Sequence, residues 1–319
     1  MTPDEVAEIF SMATAEYESV KIKPTCTYID KSDQKVNSII FRSGLKNSQW
    51  NFKYIEKNKE ESSIFLYKNI EIQKYVDEIF KRFNIFIKNC DIEYTDSNVN
   101  IIISFYEFKY KNNNLYLNNS LIQKNKSFSG LNPKNNKQLI SYIITKILTL
   151  STNLYLKNKT TTIKTQNLTK KFEIYINSNL KFLNDYKKTL KSFKRFLKDP
   201  LQKNIIQILF IVISEKNSSK LLANAISLYL AKHKKKHNFL VFLLKTVINN
   251  LIPLTFSKTK GIKIALTGRF NGAPRAKKKV LTMGVVPLQS FDEKISYYNS
   301  TSFTQNGTFG VKVWICEKY

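Results

Sequence analysis

Six of the eight glycines in this 319-residue chain fall within its last 59 residues, at positions 261, 268, 272, 284, 307 and 310. Glycine reaches positive φ without a Cβ clash and lets two backbones approach closely. A cluster this dense predicts a compact, turn-rich β domain at the carboxyl end. Its strands are expected at roughly 261–270, 278–288, 293–300 and 308–317, with Val285 to Leu288, Val311, Val313 and Trp314 as core. Gly307 and Gly310 have the letter spacing of a GxxG loop, but they lie in the last turn of this domain and read as structural.

Upstream the chain reads differently. Thr2 as a cap and Pro3 at the first helical position predict a short amphipathic helix over 3–20. Ile72, Val76, Ile79, Phe80 and Phe83 recur at helical spacing and predict a helix over 64–83. Two runs rich in β-branched and aromatic residues, 85–94 and 98–108, flank a turn at 95–98 and predict a hairpin. Residues 111–137 form a polar Asn/Lys-rich loop, and helical patterns return at 138–150 and 179–197. Pro200 marks a break. The apolar, β-branched run 205–214 reads as a buried strand, followed by helices over 219–232 and 238–252. The apolar run 239–254 is shorter than the roughly 20 residues a bilayer core requires and is interrupted by Lys245, Asn249 and Asn250. It reads as a buried helix, so no membrane is expected as a partner.

Charge bounds function more than any motif does. The chain holds 52 Lys and Arg against 24 Asp and Glu, a formal net charge of +28. A surface that positive repels itself unless it is neutralised, and the commonest neutraliser is a phosphate backbone. Residues 1–30 are locally acidic, unlike an acid-poor transit peptide, and no secretory signal is visible. Residues 109–204 carry 20 Lys and Arg but only Glu173, Asp185 and Asp199 as acids. That segment is also rich in Asn, Ile, Tyr and Phe, a bias that fits an AT-rich organellar genome.

Catalysis has few actors. Cys26, Cys90 and Cys316 form no CxxC pair, so neither a zinc knuckle nor a redox dithiol is present. His233 and His237 have the i, i+4 spacing of a metal face, but Lys234, Lys235 and Lys236 lie between them. Three ammonium groups repel a divalent cation, so no metal is expected there. There is no GxxxxGK[ST], no GxSxG and no acid pair in a Gly-rich context. The chain reads as a non-enzyme without cofactors.

Three segments carry a family resemblance. GIKIALTGRFNGAPRAKKK (261–279), GVVPLQSF (284–291) and NGTFGVKVWI (306–315) resemble the C-terminal domain of the small-subunit ribosomal protein S-three family, bacterial and organellar. QKVNSIIFR (34–42) resembles that family's opening, and ISEKNSSKLLANAISLYLAKH (213–233) resembles the helix linking its two domains. The resemblance covers most of the chain except 1–33 and about 110–200. It implies an α+β fold: a degenerate KH-type N-terminal domain with a large basic insertion, then a C-terminal α+β domain with a mainly antiparallel sheet. The expected boundaries are an extension at 1–33, an arm at 34–63, a KH-like domain at 64–237 with its insertion at about 110–200, and the C-terminal domain at 238–319.

The resemblance also implies a place in the head of the small ribosomal subunit, near the messenger RNA entry channel. The expected partners are small-subunit rRNA, mRNA at that channel and neighbouring small-subunit proteins. The large insertion favours a mitochondrial ribosome, with a plastid as the alternative. This chain departs from the pattern in three places. EFKYKNNNLY (107–116) has no glycine where a KH domain grips backbone with GxxG. Residues 239–244, FLVFLL, stand where the family carries basic residues. About 90 residues are inserted after the hairpin.

Phosphate docking needs cations together with small residues that admit a backbone. Residues 267–279 have both: Gly268 and Gly272 permit a tight turn around Asn271, Arg269 offers a planar fork, and Arg275, Lys277, Lys278 and Lys279 form a dense strip. Lys35, Asn37 and Arg42 are a second candidate patch through the resemblance. Lys232, Lys234, Lys235 and Lys236 are a third. Two other readings share the basic character. An intron maturase would need an acidic metal site, and acids are sparse beyond residue 108. A basic membrane-associated protein would rest on 239–254 alone.

Overall fold

The computed structural model of the chain describes residues 37–42, 51–56, 60–82, 85–95, 97–108, 160–178 and 199–318, except 234, 235 and 255, together with 58, 149, 188, 189, 191 and 193. The helix expected at 3–20, the loop at 111–137, and most of the helical patterns at 138–150 and 179–197 lie outside the described residues. Ser38–Tyr319 forms one compact unit.

A helical turn at Ser38–Phe41 and the short strand β1 (Phe52–Lys53) lead into α1 (Glu61–Arg82). Helix α1 buries Ile72, Val76 and Phe80, three residues spaced at four, as one apolar stripe requires. Strands β2 (Ile85–Tyr94) and β3 (Asn98–Glu107) form the expected antiparallel hairpin, from Ile85 opposite Glu107 to Tyr94 opposite Val99. The Thr95 hydroxyl donates to the Asn98 carbonyl at 2.7 Å and closes the turn.

Strand β4 (Thr160–Asn167) then pairs parallel to β3, and α2 (Leu168–Ser178) follows it directly. The first sheet thus runs β1-β2-β3-β4 and is mixed. Within the segment expected as an insertion at about 110–200, residues 160–178 thus supply an edge strand and a helix that buries Leu168 and Phe172. The Thr160 and Thr162 hydroxyls bond the Asn98 and Asn100 side chains across that edge. Thr and Asn there carry the sheet without an apolar pattern to betray it.

One correction concerns 205–214. These residues form helix α3 (Pro200–Ser214), not a strand. A continuous apolar run does not distinguish a buried strand from a buried helix by periodicity, and length arbitrates. Here Asp199 stands at the cap with extended backbone, Pro200 at the start has the right φ, and fifteen residues follow. The helix is apolar almost all round because eleven of its residues are buried.

Helices α4 (Ser219–Lys232) and α5 (His237–Leu251) lie within a residue of their expected spans. Among the described residues, no helix is long and apolar enough to cross a membrane. The second sheet, β6-β5-β8-β7, is antiparallel throughout: β5 (Thr259–Gly268), β6 (Lys277–Gly284), β7 (Ile295–Thr304) and β8 (Gly307–Glu317). All four strands overlap the expected positions, though β6 stops at Gly284, short of the expected 288, and β7 runs to Thr304, past the expected 300. Helix α4 packs on β7 and β8, so it joins the C-terminal sheet from before residue 238. Val311 and Val313 are core as expected, whereas Trp314 is a correction: it is only half-buried, on the other face of β8. Val285 is a correction: it is 69% exposed, because it leaves β6 just past Gly284.

The glycine at 268 shows why the cluster is needed. Its φ is +155°, and a Cβ there would sit 2.3 Å from the ring of Phe309. Gly307 has φ +110° but open space around it. Gly268→Ala is therefore expected to cost about 2–4 kcal/mol, against about 1 kcal/mol for Gly307→Ala, both read by denaturant unfolding.

Candidate nucleic-acid interface

The strip predicted at 267–279 is the hairpin that joins β5 to β6. Gly268 closes β5 opposite Lys277, and Phe270–Gly272 makes a single 3-10 turn. Asn271 sits in the left-handed region at φ 55°, where Asn is among the few tolerated residues. Phe270 points inward and is buried, while Arg269, Asn271, Gly272, Arg275, Lys277 and Lys278 are exposed. The Arg269 Nε donates to the Ala273 carbonyl at 2.8 Å, which holds the guanidinium against its own loop. Lys279 lies on the helix side, its ammonium 4.7 Å from the Phe270 ring centre and bonded to Asn238.

A buried histidine anchors this turn. The Asn271 backbone N–H donates to His237 Nδ1 at 3.0 Å, and the His237 backbone N–H donates to Asn271 Oδ1 at 3.3 Å. The ring is 1% exposed and meets Phe309 edge-on at 4.9 Å. Burial lowers its pKa, and the nearby Lys279 pushes the same way. An imidazole that accepts at Nδ1 is neutral, with its proton on Nε2. His233 is lowered likewise, by burial first and then by Lys236. His237 is thus a clasp for the turn, while His233 packs against Tyr229, and no cluster of three or more metal-binding groups occurs among the described residues.

The clasp joins two of the three predicted patches. Lys236 caps α5 beside the 270–272 turn, exposed, with Asp199 3.7 Å away. Lys232 ends α4 and is exposed. Lys234 and Lys235 lie outside the described residues, as does Lys35. Asn37 is exposed and belongs to a separate unit from the hairpin.

Arg42 is a correction. It is 7% exposed, and its fork is used up on carbonyls: Nε donates to Glu293 at 3.1 Å, Nη1 to Ser38 at 3.2 Å, and Nη2 to Pro287, Leu288 and Ser290 at 3.2, 3.0 and 2.5 Å. Burial lowers its pKa. Phe41 stacks on Phe291 at 4.1 Å beside it. Arg42 locks the loop between β6 and β7, so it is removed from the RNA-facing set. A sequence shows that a residue is cationic but not that its donors are already taken.

Many of the acids are spent internally. Asp77 takes both bonds from Lys220, at 2.7 and 2.8 Å. Glu215 takes Lys88 at 2.5 Å and Lys171 at 2.9 Å. Burial alone would raise the Glu215 pKa, but the two lysines outweigh it and hold the carboxyl below the usual range. Glu293 takes Lys260 at 2.6 Å. Burial pushes the Cys90 thiol up to about 12 and the Cys316 thiol up to about 11, so both are poor nucleophiles.

The fold and this surface define a basic α+β protein whose candidate site is a cationic hairpin rather than a catalytic pocket. Residues 243–315 match the family model "Ribosomal protein S3, C-terminal domain". The chain is similar to small ribosomal subunit protein uS3c of Emiliania huxleyi, with 45% identity over 19% of this chain and 29% of that protein. It is 36% identical to uS3c of Euglena longa over 26% and 36% of the two chains. It is 42% identical to uS3 of Bacteroides thetaiotaomicron over 18% and 24%. The matched segments span about a quarter to a third of those relatives.

Two outcomes follow from these contacts. Arg42→Met leaves several carbonyls without their donor and should cost about 2–4 kcal/mol, without changing RNA affinity at temperatures where the variant is folded. For the histidines, the lowered folded pKa means the folded state resists protonation. Stability is full above the ordinary imidazole value of about 6.5. It falls as pH drops below that, until pH has passed through the lower folded value. His237→Gln should remove part of that slope, with His233 supplying the rest, in urea titrations between pH 7.5 and 5.

Proposed function

We propose that the chain is a non-enzymatic structural constituent of a small ribosomal subunit. It binds small-subunit rRNA through the 268–279 hairpin, with Lys232 and Lys236 on its flank. The observation that carries this reading is the exposed cationic hairpin lying inside the segment that matches the family model. An exposed Arg–Lys strip around a glycine turn meets phosphates, and a buried clasp fixes its shape beforehand, so little ordering entropy is lost on docking.

In this reading the helix, hairpin and parallel strand upstream form a degenerate KH-type domain. Without GxxG it serves as scaffold rather than as a sequence-specific grip. The chain would sit in the subunit head near the mRNA entry channel, beside other small-subunit proteins. The ribosome would be mitochondrial, with the plastid as the alternative, which the organellar composition bias of the chain supports.

The test is incorporation. Arg269→Glu with Lys278→Glu reverses two exposed charges without touching the core. Co-sedimentation with small-subunit particles from purified organelles should drop severalfold. Unchanged co-sedimentation would remove the hairpin from the interface, and absence of the parent chain from both kinds of organellar ribosome would remove the reading itself.

A further inference from the structure

Two hairpins leave the same end of the C-terminal sheet. The cationic one joins β5 to β6. The other joins β7 to β8, where Thr304 pairs with Gly307 across Gln305 and Asn306. Their tips meet: a Cβ on Gly272 would stand 3.4 Å from the Asn306 side-chain nitrogen. Neither hairpin carries an acid, since 259–291 and 294–316 contain no Asp or Glu.

At the rim of the second hairpin stands Phe303, 77% exposed. A single exposed aromatic residue needs no explanation by itself. This one is fixed in position. The Ser302 hydroxyl before it donates to the Ser227 carbonyl of α4 at 2.8 Å, and the Thr304 hydroxyl after it donates to the Gly307 carbonyl at 2.6 Å. With Ser302 turned to α4, strand alternation sends the Phe303 ring to the opposite side. Around it Thr301, Thr308, Thr267 and Lys278 are all exposed. Gly307 likewise has nothing within 4 Å of where a Cβ would stand. Phe303 pairs with Thr308 on β8. The register of β5 with β8, carried two residues past Thr267 opposite Gly310, brings Arg269 to the far side of Thr308. Two inter-strand spacings, about 10 Å, separate the backbones at Phe303 and Arg269. Ring and guanidinium thus flank a span that adjoining nucleotides of one strand bridge.

We infer that this end of the sheet recognises an RNA helix interrupted by an unpaired nucleotide, the cationic hairpin holding phosphates of the helix and Phe303 stacking on the unpaired base. A paired base has its faces covered by its neighbours in the stack. A base turned out of the helix offers a face to a ring on a rigid finger. Stacking on such a ring tolerates any base. A protein pocket would seat Phe303 only by bringing its own carboxylates to Arg269 and Lys278 beside it, whereas RNA supplies base and charge from one strand. The inference rests on the RNA-binding reading and names the form of RNA that the site takes.

The experiment uses the full chain and two RNA duplexes that differ by one bulged adenosine. The parent should bind the bulged duplex about tenfold more tightly than the perfect one. Phe303→Ala should lose that preference while keeping its affinity for the perfect duplex and its salt slope. Phe303→Trp should retain the preference, and its added indole emission should fall with the bulged duplex and not with the perfect one. Arg269→Gln with Lys278→Gln should weaken both duplexes alike and lower the salt slope by about 1.8, at about 0.9 per lost phosphate contact on a duplex. Melting by circular dichroism checks that each variant is folded. Equal affinity of the parent for the two duplexes would overturn the proposal while leaving the hairpin reading intact, and so would a preference that survives in folded Phe303→Ala. Loss of a neighbouring ribosomal protein from particles carrying Phe303→Ala, with the preference unchanged, would overturn it in favour of a protein contact. Failure of the parent to bind either duplex would sink the RNA-binding reading as well.

Discussion

Helix α3 has almost no polar face, and both sheets are built against what it buries. Its Ile, Leu, Val and Phe side chains join one core with Tyr106 and Phe108 at the end of β3, Leu168 and Phe172 of α2, the apolar faces of α4 and α5, and the inner face of the C-terminal sheet. Each such side chain, fully buried, is worth about 1.5–3 kcal/mol in transfer terms. The two sheets therefore share a core and are not two beads on a linker. Polar ties reinforce it where the halves meet: the Tyr106 hydroxyl on Gln207 at 3.1 Å, Lys220 on Asp77, and Lys88 on Glu215. A second, smaller core of α1 against β2 and β3 completes the N-terminal half.

That shared core lets a chain of net charge +28 fold at all. Several acids inside the compact unit, Asp77, Glu215 and Glu293 among them, offset particular lysines where the chain must come together. The exposed hairpin keeps its cations outward: Arg269, Arg275, Lys277 and Lys278 have no carboxylate partner among the described residues. Charge is thus sorted by position. Pairs hold the interior, and the surplus faces solvent where a polyanion can meet it.

The hairpin depends on the core in turn. Gly268 lets Phe309 close over the end of β5, Phe309 meets His237 and Phe270, and His237 clasps Asn271. Aromatic packing and two hydrogen bonds fix a loop that its own charges would otherwise spread. An anion-binding surface is stronger when its shape exists before the ligand arrives, because less freedom is lost on binding.

Local chemistry made much of this legible from the sequence alone. Glycine placement, period-two runs and helical spacing located the four C-terminal strands, the β2–β3 hairpin and helices α1, α4 and α5, since each of those signals acts through neighbouring residues. The cationic hairpin was legible for the same reason. Tertiary context decided the rest. It made 205–214 a helix, because burial on all sides erases the periodicity that separates helix from strand. It drew 160–167 into the first sheet, with Thr–Asn pairs along an edge that carries no apolar pattern. It turned Arg42 from a ligand for phosphate into one for carbonyls, and set Trp314 beside Lys263 and Tyr297 on the face of the C-terminal sheet away from α4. Those outcomes depend on which distant residues come within a few ångströms, and separation along the chain carries no record of that.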